Sequence, residues 1–160
     1  YGTGDNFIVK MANLVRFHFA FPYIAPGRRI QPLWVSDFAT ALMSAVRDLD
    51  SVGKTYELGG SDIFTHRELL QLISQHTGIS LAHAVDLPEP LVRLLVRFWY
   101  RRFRVAAYSL EELDWYSDGD CLVSKNALCL EDLSVTPSSL HDHIAALTVL
   151  YQRPKERYLV

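Results

Sequence analysis

A glycine-rich turn opens the chain, with the sequence Tyr1-Gly2-Thr3-Gly4-Asp5-Asn6. A Gly-x-Gly turn of this kind relieves the backbone where a strand bends into a helix, so a strand is expected directly before it. No strand precedes Tyr1 in this sequence, and the first residue is not methionine. We therefore expect the second half of an α/β fold, with the first half lying upstream or supplied by another polypeptide.

The composition is that of an ordinary globular protein. Of the 160 residues, 49% are hydrophobic and 21% are charged, and the net charge is −2. This balance excludes a disordered chain, and no apolar run reaches the length of a membrane-spanning helix. Cys121 and Cys129 are too few for a disulfide framework and lack partners for a metal site, so we expect two reduced thiols and no metal.

Strands and helices alternate over the first part of the chain. Apolar spacing, capping residues and turn residues predict a helix over 7–18, a strand over 30–35 and a helix from residue 38, which Ser36 and Asp37 would cap. A short strand is expected over 55–60 and an edge strand over 81–87. Between them Thr65 and Glu68 form a capping-box pattern that predicts a helix over 66–77, ended by Gly78.

The remainder of the chain is predicted to be mainly helical. One helix is expected over 89–104, a shorter acidic one over 109–116 and a last one from Pro137 to about Gln152, with Thr136 as its N-cap. The sequence thus predicts an α/β fold in two parts. Residues 1–87 would form the second half of a Rossmann-like domain, and 88–160 an appended helical lobe.

The opening turn is the first candidate site. A glycine-rich turn at the carboxyl edge of a parallel sheet lies where doubly wound folds bind ligands, so Gly2, Gly4 and Asn6 are candidates for a cofactor-facing rim. The alternative is a tight turn whose glycines serve only steric needs. Gln31 and Arg28 could likewise face a ligand phosphate or carboxylate, although the sequence favours a solvated loop.

A row of arginines on the predicted helix 89–104 is the second candidate site. Arg93, Arg97, Arg101 and Arg104 are spaced to share one face, while Leu91, Leu94, Leu95, Phe98 and Trp99 lie on the opposite side. Such a helix can lie on an anionic membrane surface, bind an acidic partner subunit or present a solvated basic back. A nucleic-acid partner is not expected from this charge balance.

No catalytic or metal-binding constellation is predicted. His141 and His143 are two residues apart, which places them on different helix faces, and the adjacent Glu111 and Glu112 are separated in the same way.

Three blocks resemble the latter half of extended or atypical short-chain dehydrogenase/reductases. They are the opening Tyr-Gly-x-Gly-Asp-Asn-Phe, the run Gln31 to Asp37 before an alanine-rich helix, and the run Gly53 to Gly60 before the capping box. The tail from Leu130 to Leu140 and the helix after it resemble the alpha subcomplex subunit 9 family, accessory subunits of mitochondrial respiratory complex I. Ser134 stands where glycine is common in this superfamily.

This resemblance implies a non-catalytic accessory subunit on the matrix side of the inner mitochondrial membrane. It also implies a structural NADPH or NAD(H), held mainly by residues preceding this region, and other complex I subunits as partners. Anionic lipid could contact helix 89–104. An active NAD(P)-dependent reductase or epimerase is the alternative, and it would need a Tyr-x-x-x-Lys pair upstream. A peripheral membrane-binding helical module is a third possibility.

Overall fold

The computed structural model describes residues 1–2, 5, 7–16, 21–23, 25, 27–78, 84–103, 114–115 and 118–151. The helices of ten or more residues in this part of the chain are α1 (Phe7–Arg16), α2 (Val35–Arg47), α3 (His66–Thr77), α4 (Glu89–Phe103) and α5 (Leu140–Tyr151). The strands are β1 (Phe21–Tyr23), β2 (Arg29–Ile30), β3 (Phe64–Thr65) and β4 (Ala84–Asp86). Single 3₁₀ turns span Leu49–Ser51 and Glu131–Leu133.

The described strands form two small sheets. β1 and β4 pair in parallel, with Pro22 opposite Val85, and β2 and β3 pair antiparallel, with Ile30 opposite Phe64. Isolated parallel bridges join Tyr56 to Leu128 and Ile30 to Cys121. The described residues thus mix helices with small sheets, as expected of an α/β protein, but they do not form the doubly wound sheet of a Rossmann fold.

The chain divides into two compact units. The first contains residues 1–12, 31–63 and 122–160, and the second contains 13–30 and 64–121. Each unit therefore draws segments from both sides of residue 87, where the sequence predicted a domain boundary. The domain boundary at residue 87 therefore stays a prediction.

The core of the first unit forms where α2 meets the segment around the second 3₁₀ turn. Ala41 is fully buried there with Leu130, Leu133 and Val135. Helix α5 adds the buried residues Leu140, Ile144 and Leu147, which are spaced for one helix face. In α1 the buried side chains include Ile8, Met11 and Ala12.

The predicted limits of the helix over 66–77 are confirmed by α3 in the second unit. Thr65 is the N-cap, its hydroxyl accepts from the Glu68 N–H, and the Glu68 carboxylate accepts from the Thr65 N–H. Gly78 ends the helix in the left-handed conformation (φ 69°, ψ 14°). The described side chains that are buried on α3 and α4 are His66, Leu69, Leu70, Leu72, Ile73, Val92 and Val96.

Other predicted elements agree with the structure in whole or in part. Helix 7–18 corresponds to α1, helix 89–104 to α4 and the 81–87 strand to β4. Asp114 and Trp115 are helical, as expected within 109–116, and the rest of that segment lies outside the described residues.

Three predicted boundaries are wrong. The strand over 30–35 is confined to β2, since Pro32 cannot donate to a strand ladder and α2 already begins at Val35. Trp34, not Ser36 or Asp37, is the N-cap of α2. The strand over 55–60 is reduced to the single bridge at Tyr56.

The start of the last helix is also wrong. α5 begins at Leu140, and 136–139 are not helical. Distant carboxylates accept from the N–H groups of Ser138 and Leu140 and from the hydroxyls of Ser138 and Ser139, so Thr136 is not needed as a cap.

Candidate functional site

The described residues of the opening turn have structural roles. Both carboxylate oxygens of Asp5 accept from the backbone N–H groups of Phe7 and Ile8, at 2.9 and 2.7 Å, and so cap α1. Gly2 is buried, and a Cβ at this position would collide with the Cγ1 of Val35. Gly4 and Asn6 lie outside the described residues. The cofactor-facing rim therefore stays a prediction.

Tyr1 joins the turn to the start of α2 by two backbone hydrogen bonds. Its amino group donates to the Leu33 carbonyl at 2.6 Å, and its carbonyl accepts from the Val35 N–H at 2.9 Å. This exchange on either side of Trp34 is the pattern of a parallel β-bridge. Residues 33–35, which the sequence predicted as the end of a strand over 30–35, therefore bond to Tyr1 in the opening turn.

An aromatic cluster of Tyr1, Trp34 and His143 was not predicted. The rings of Trp34 and His143 stack at 4.0 Å with an interplanar angle of 4°, and Tyr1 lies 5.2 Å from Trp34. The Tyr1 hydroxyl is buried, with no hydrogen-bond partner among the described residues. Burial raises the pKa of this phenol, and the negative charges of Asp37 and Asp62 raise it further. The phenol therefore stays protonated at neutral pH and is unsuited to act as a base.

The Gln31 amide is used inside the first unit. Its nitrogen donates to the Gly60 carbonyl at 2.8 Å, and its oxygen accepts from the Val123 N–H at 3.1 Å. Gly59 lies against this side chain, because a Cβ there would be 2.6 Å from the Gln31 Cδ. Gln31 therefore joins three segments of the unit.

Two aspartates bind the segment before α5. Asp37 accepts from the Ser138 N–H at 2.7 Å and from its hydroxyl at 3.0 Å. Asp62 accepts from the Ser139 hydroxyl at 2.6 Å and from the Leu140 N–H at 2.8 Å. The sequence gives no local indication of either pair, since the partners are 77 to 101 positions apart.

Arg28 lies in the second unit and is buried. Its guanidinium carbon is 4.0 Å from the centre of the Trp115 ring, a cation–π geometry. Neighbouring Arg29 donates to both carboxylate oxygens of Asp120, through its backbone N–H and its Nε at 2.8 Å. These bonds lower the pKa of Asp120.

Cys129 does not have the character of a nucleophile. Hydrogen bonding to Glu131, followed by burial and bonding to Asp132, raises the pKa of its thiol, which disfavours the reactive thiolate. Cys121 and Cys129 are both free thiols, as predicted.

The arginine row on α4 is only partly available for binding. Arg93 donates to Glu89 at 2.8 Å and to Asp114 at 2.6 Å. Arg97 is exposed and has no hydrogen bond or ion pair with another described residue. The side chain of Arg101 and the whole of Arg104 lie outside the described residues.

Helix α4 also presents an apolar stripe to solvent. Val92 and Val96 are buried, whereas Leu94 is 62% and Phe98 64% exposed, with Leu91 and Leu95 less so. The predicted arginine and leucine faces therefore lie side by side on the outside of the helix. No described helix is long and apolar enough to cross a membrane.

The described side chains include no group of three or more His, Cys, Asp or Glu that could hold a metal ion. No protein-family model matches the sequence.

Curated proteins from three distant organisms match nearly the whole chain. All carry the name NADH dehydrogenase [ubiquinone] 1 alpha subcomplex subunit 9, mitochondrial. The Arabidopsis thaliana protein is 30% identical, and the alignment covers 95% of this chain and 40% of the relative. The Dictyostelium discoideum protein is 25% identical over 97% of this chain and 44% of the relative. The Rattus norvegicus protein is 24% identical over 99% of this chain and 41% of the relative.

These subunits are homologues of the chain. The chain corresponds to their C-terminal part and spans about two fifths of their length. The resemblance to the subunit 9 family is thereby confirmed, while the resemblance to short-chain dehydrogenase/reductases stays a prediction.

Proposed function

We propose that this chain is part of a non-catalytic accessory subunit of mitochondrial respiratory complex I, NADH:ubiquinone oxidoreductase. The alignment with three mitochondrial subunit 9 proteins over 95–99% of the chain carries this proposal. The subunit stabilises the peripheral arm near the membrane junction, on the matrix side of the inner membrane.

The polar groups of the first unit support a structural role. Gln31, Asp37 and Asp62 hold distant segments of the unit together, and the Tyr1 phenol is held neutral. A reductase or epimerase would need such groups turned toward a substrate. The alternative of an active extended dehydrogenase rests on a Tyr-x-x-x-Lys pair that this sequence does not cover.

The structural nicotinamide dinucleotide, NADPH or NAD(H), is proposed to bind mainly to the N-terminal part that the relatives carry. The described residues of the opening turn support this assignment, because they already have structural roles. Gly2 packs closely against Val35, and Asp5 caps α1. The described part of the turn therefore does not fit a dinucleotide cradle.

The outward face of α4 is proposed to contact the surroundings of the subunit in the assembled complex. Exposed Leu94 and Phe98 beside Arg97 suit either a neighbouring subunit with acidic residues or anionic lipid headgroups. A shared surface of this kind would anchor the subunit near the membrane.

Charge reversal tests this proposal. Arg97→Glu with Arg101→Glu is expected to reduce at least threefold the amount of the tagged protein that comigrates with complex I on native gels of mitochondria. Lys54→Glu with Lys125→Glu is the matched control, since both lysines are exposed and belong to the first unit, whereas α4 belongs to the second.

The outcomes separate the candidates. Unchanged comigration of the Arg97/Arg101 variant would contradict the proposed contact at α4. A tagged protein that never comigrates with complex I would contradict the proposed accessory-subunit function. Binding of the purified protein to anionic vesicles, lost in the variant and weakened by salt, would identify lipid as the contact.

A further inference from the structure

Helix α2 exposes all of its large apolar side chains. Leu42 is 53% and Val46 74% exposed, whereas Ala41 is fully buried and Asp37 faces the interior. The exposed residues that share the outward side are Val35, Phe38, Leu42, Met43 and Val46, called the α2 face below. Phe38, Leu42 and Val46 follow one another at intervals of four and are therefore neighbours on the helix surface, and an apolar surface of this kind on a folded protein marks a contact with another protein surface or a membrane.

The start of the chain leads to the same place. The amino group of Tyr1 donates to the Leu33 carbonyl and its carbonyl accepts from the Val35 N–H, so Tyr1 lies opposite Trp34 in the pattern of a parallel β-bridge. A polypeptide joined before Tyr1 that continued this parallel pairing would run beside residues 31–33 and would reach Tyr1 next to the start of α2. In parallel α/β folds the connecting helices pack on the faces of the sheet. A strand added beside residues 31–33 would therefore belong to a sheet that lies next to α2.

The homologues carry a part that could cover this surface. The matched region is their C-terminal part and accounts for 40–44% of the Arabidopsis, Dictyostelium and rat proteins. More than half of each relative therefore lies outside the alignment.

We propose that the α2 face and the edge beside Leu33 are the docking surface for that N-terminal part. Its last strand would continue into Tyr1, and its apolar side would cover α2. The proposal deepens the proposed function, on which it rests for the identity of the partner, and it applies whether the two parts form one polypeptide or two.

The absence of charge favours this partner over a lipid surface. The one charged residue exposed on α2 is Arg47 at its C-terminal end, so the α2 face itself is uncharged, whereas Arg97 lies in the middle of the outward side of α4. An uncharged apolar surface is typical of a permanent contact between parts of one fold, and interfaces of that kind resemble a protein core.

A binding experiment tests the proposal with defined components. The N-terminal part of the Arabidopsis relative, ending where the alignment with this chain begins, is titrated with residues 1–160 and followed by analytical ultracentrifugation. Leu42→Glu and Val46→Glu are each expected to weaken binding at least tenfold. Thr40→Glu is the matched control, because Thr40 is exposed on the same helix but outside the α2 face.

The Arabidopsis C-terminal part serves as the positive control. If it binds its own N-terminal part while residues 1–160 do not, or if the α2-face variants bind normally, the proposal is overturned. A homodimer of residues 1–160 that Leu42→Glu dissociates, with no binding of the N-terminal part, would assign the α2 face to a second copy and would also overturn it.

A labelling measurement covers the case in which the separate N-terminal part does not fold. The Arabidopsis N-terminal part is fused ahead of Tyr1 in a chain with Cys121→Ser and Cys129→Ser. Maleimide labelling of Val46→Cys is expected to be at least tenfold slower in the fusion than in residues 1–160, and labelling of Thr40→Cys equally fast in both. Equal rates at Val46→Cys would contradict the proposal.

These results are independent of the test of function. Binding of the two parts without comigration with complex I would remove the proposed function alone. Comigration without protection of the α2 face would remove the docking surface alone.

Discussion

Close backbone packing defines much of the first unit at the level of single residues. A Cβ at Gly60 would overlap the Pro32 carbonyl oxygen and lie 3.5 Å from that of Ser138. The Gly60 carbonyl also accepts from the Gln31 amide. Gly60, which the sequence places at the end of a short strand, thus lies where its own segment meets those around Pro32 and Ser138.

Gly60→Ala is therefore expected to destabilise the protein by about 1–3 kcal/mol, because the added methyl group forces the backbone apart. Gly27→Ala is the control, since a Cβ at Gly27 meets no atom within 4 Å. Thermal unfolding of the two variants measures the difference. Equal melting temperatures would show that the contact around Gly60 is relaxed in solution.

Ser134 illustrates a different demand on a single residue. It adopts φ 58° and ψ 32°, in the left-handed region that favours glycine, and its N–H bonds to the Glu131 carbonyl. The position at which the superfamily resemblance showed a departure is thus a position where the backbone itself prefers glycine.

The capping box gives stability that depends on pH. Hydrogen bonds from the Thr65 N–H and hydroxyl lower the pKa of Glu68 below that of an unfolded chain. A lowered folded-state pKa contributes stability that is present above the unfolded value, about pH 4.3, and is lost as the pH falls through the folded value. Glu57 acts in the same direction through its bonds from Ser124.

Glu68→Gln is expected to be less stable than the natural protein at pH 7, with a deficit that shrinks toward pH 3. The reason is that protonation removes the same charge from the natural protein. Denaturant unfolding at several pH values measures the deficit, and parallel pH profiles for the two proteins would contradict this assignment.

At the level of elements, α3 and α5 show how helix limits arise in two ways. The limits of α3 are local, because Thr65, Glu68 and Gly78 lie within or next to the helix. The start of α5 depends on Asp62, which is 78 positions from Leu140. Local sequence therefore predicted α3 correctly and placed the start of α5 too early.

Asp62→Ala is expected to cost about 1–2 kcal/mol of stability, because the Leu140 N–H and the Ser139 hydroxyl lose their acceptor at the helix start. Thr136→Ala, at the cap that the sequence suggested, is expected to change stability by less than about 0.5 kcal/mol. Denaturant unfolding compares the two. The reverse order of effects would restore Thr136 as the functional cap.

The two exposed helices differ in a way that hydrophobic periodicity could not reveal. In α4 the valines are buried and the leucines are exposed, and in α2 Ala41 is buried while Leu42 and Val46 are exposed. Periodicity identifies an apolar stripe but does not determine which side the rest of the fold covers. That choice depends on the segments packed against each helix.

At the level of the whole molecule, the chain alternates between its two units. Residues 31–63 and 122–160 share one unit, while 64–121 belong to the other. The α2 face lies on the first unit, and the outward side of α4, with Leu94, Arg97 and Phe98, lies on the second. Variants of each face can therefore separate association of the N-terminal part from retention in complex I.

The sequence by itself determined the features that depend on near neighbours. Helix α3 with its capping box, the extents of α1 and α4, the free thiols and the resemblance to subunit 9 all follow from residues within a few positions or from short blocks. Backbone hydrogen bonds and helix periodicity act over these distances.

Only the tertiary structure decided the features that join distant residues. It gave Asp37, Asp62 and Gln31 their partners, stacked Trp34 on His143, paired Arg93 with Asp114, and turned the large residues of α2 outward. The physical reason is that a polar or apolar side chain specifies the kind of neighbour it needs, and the path of the chain decides which residue supplies it.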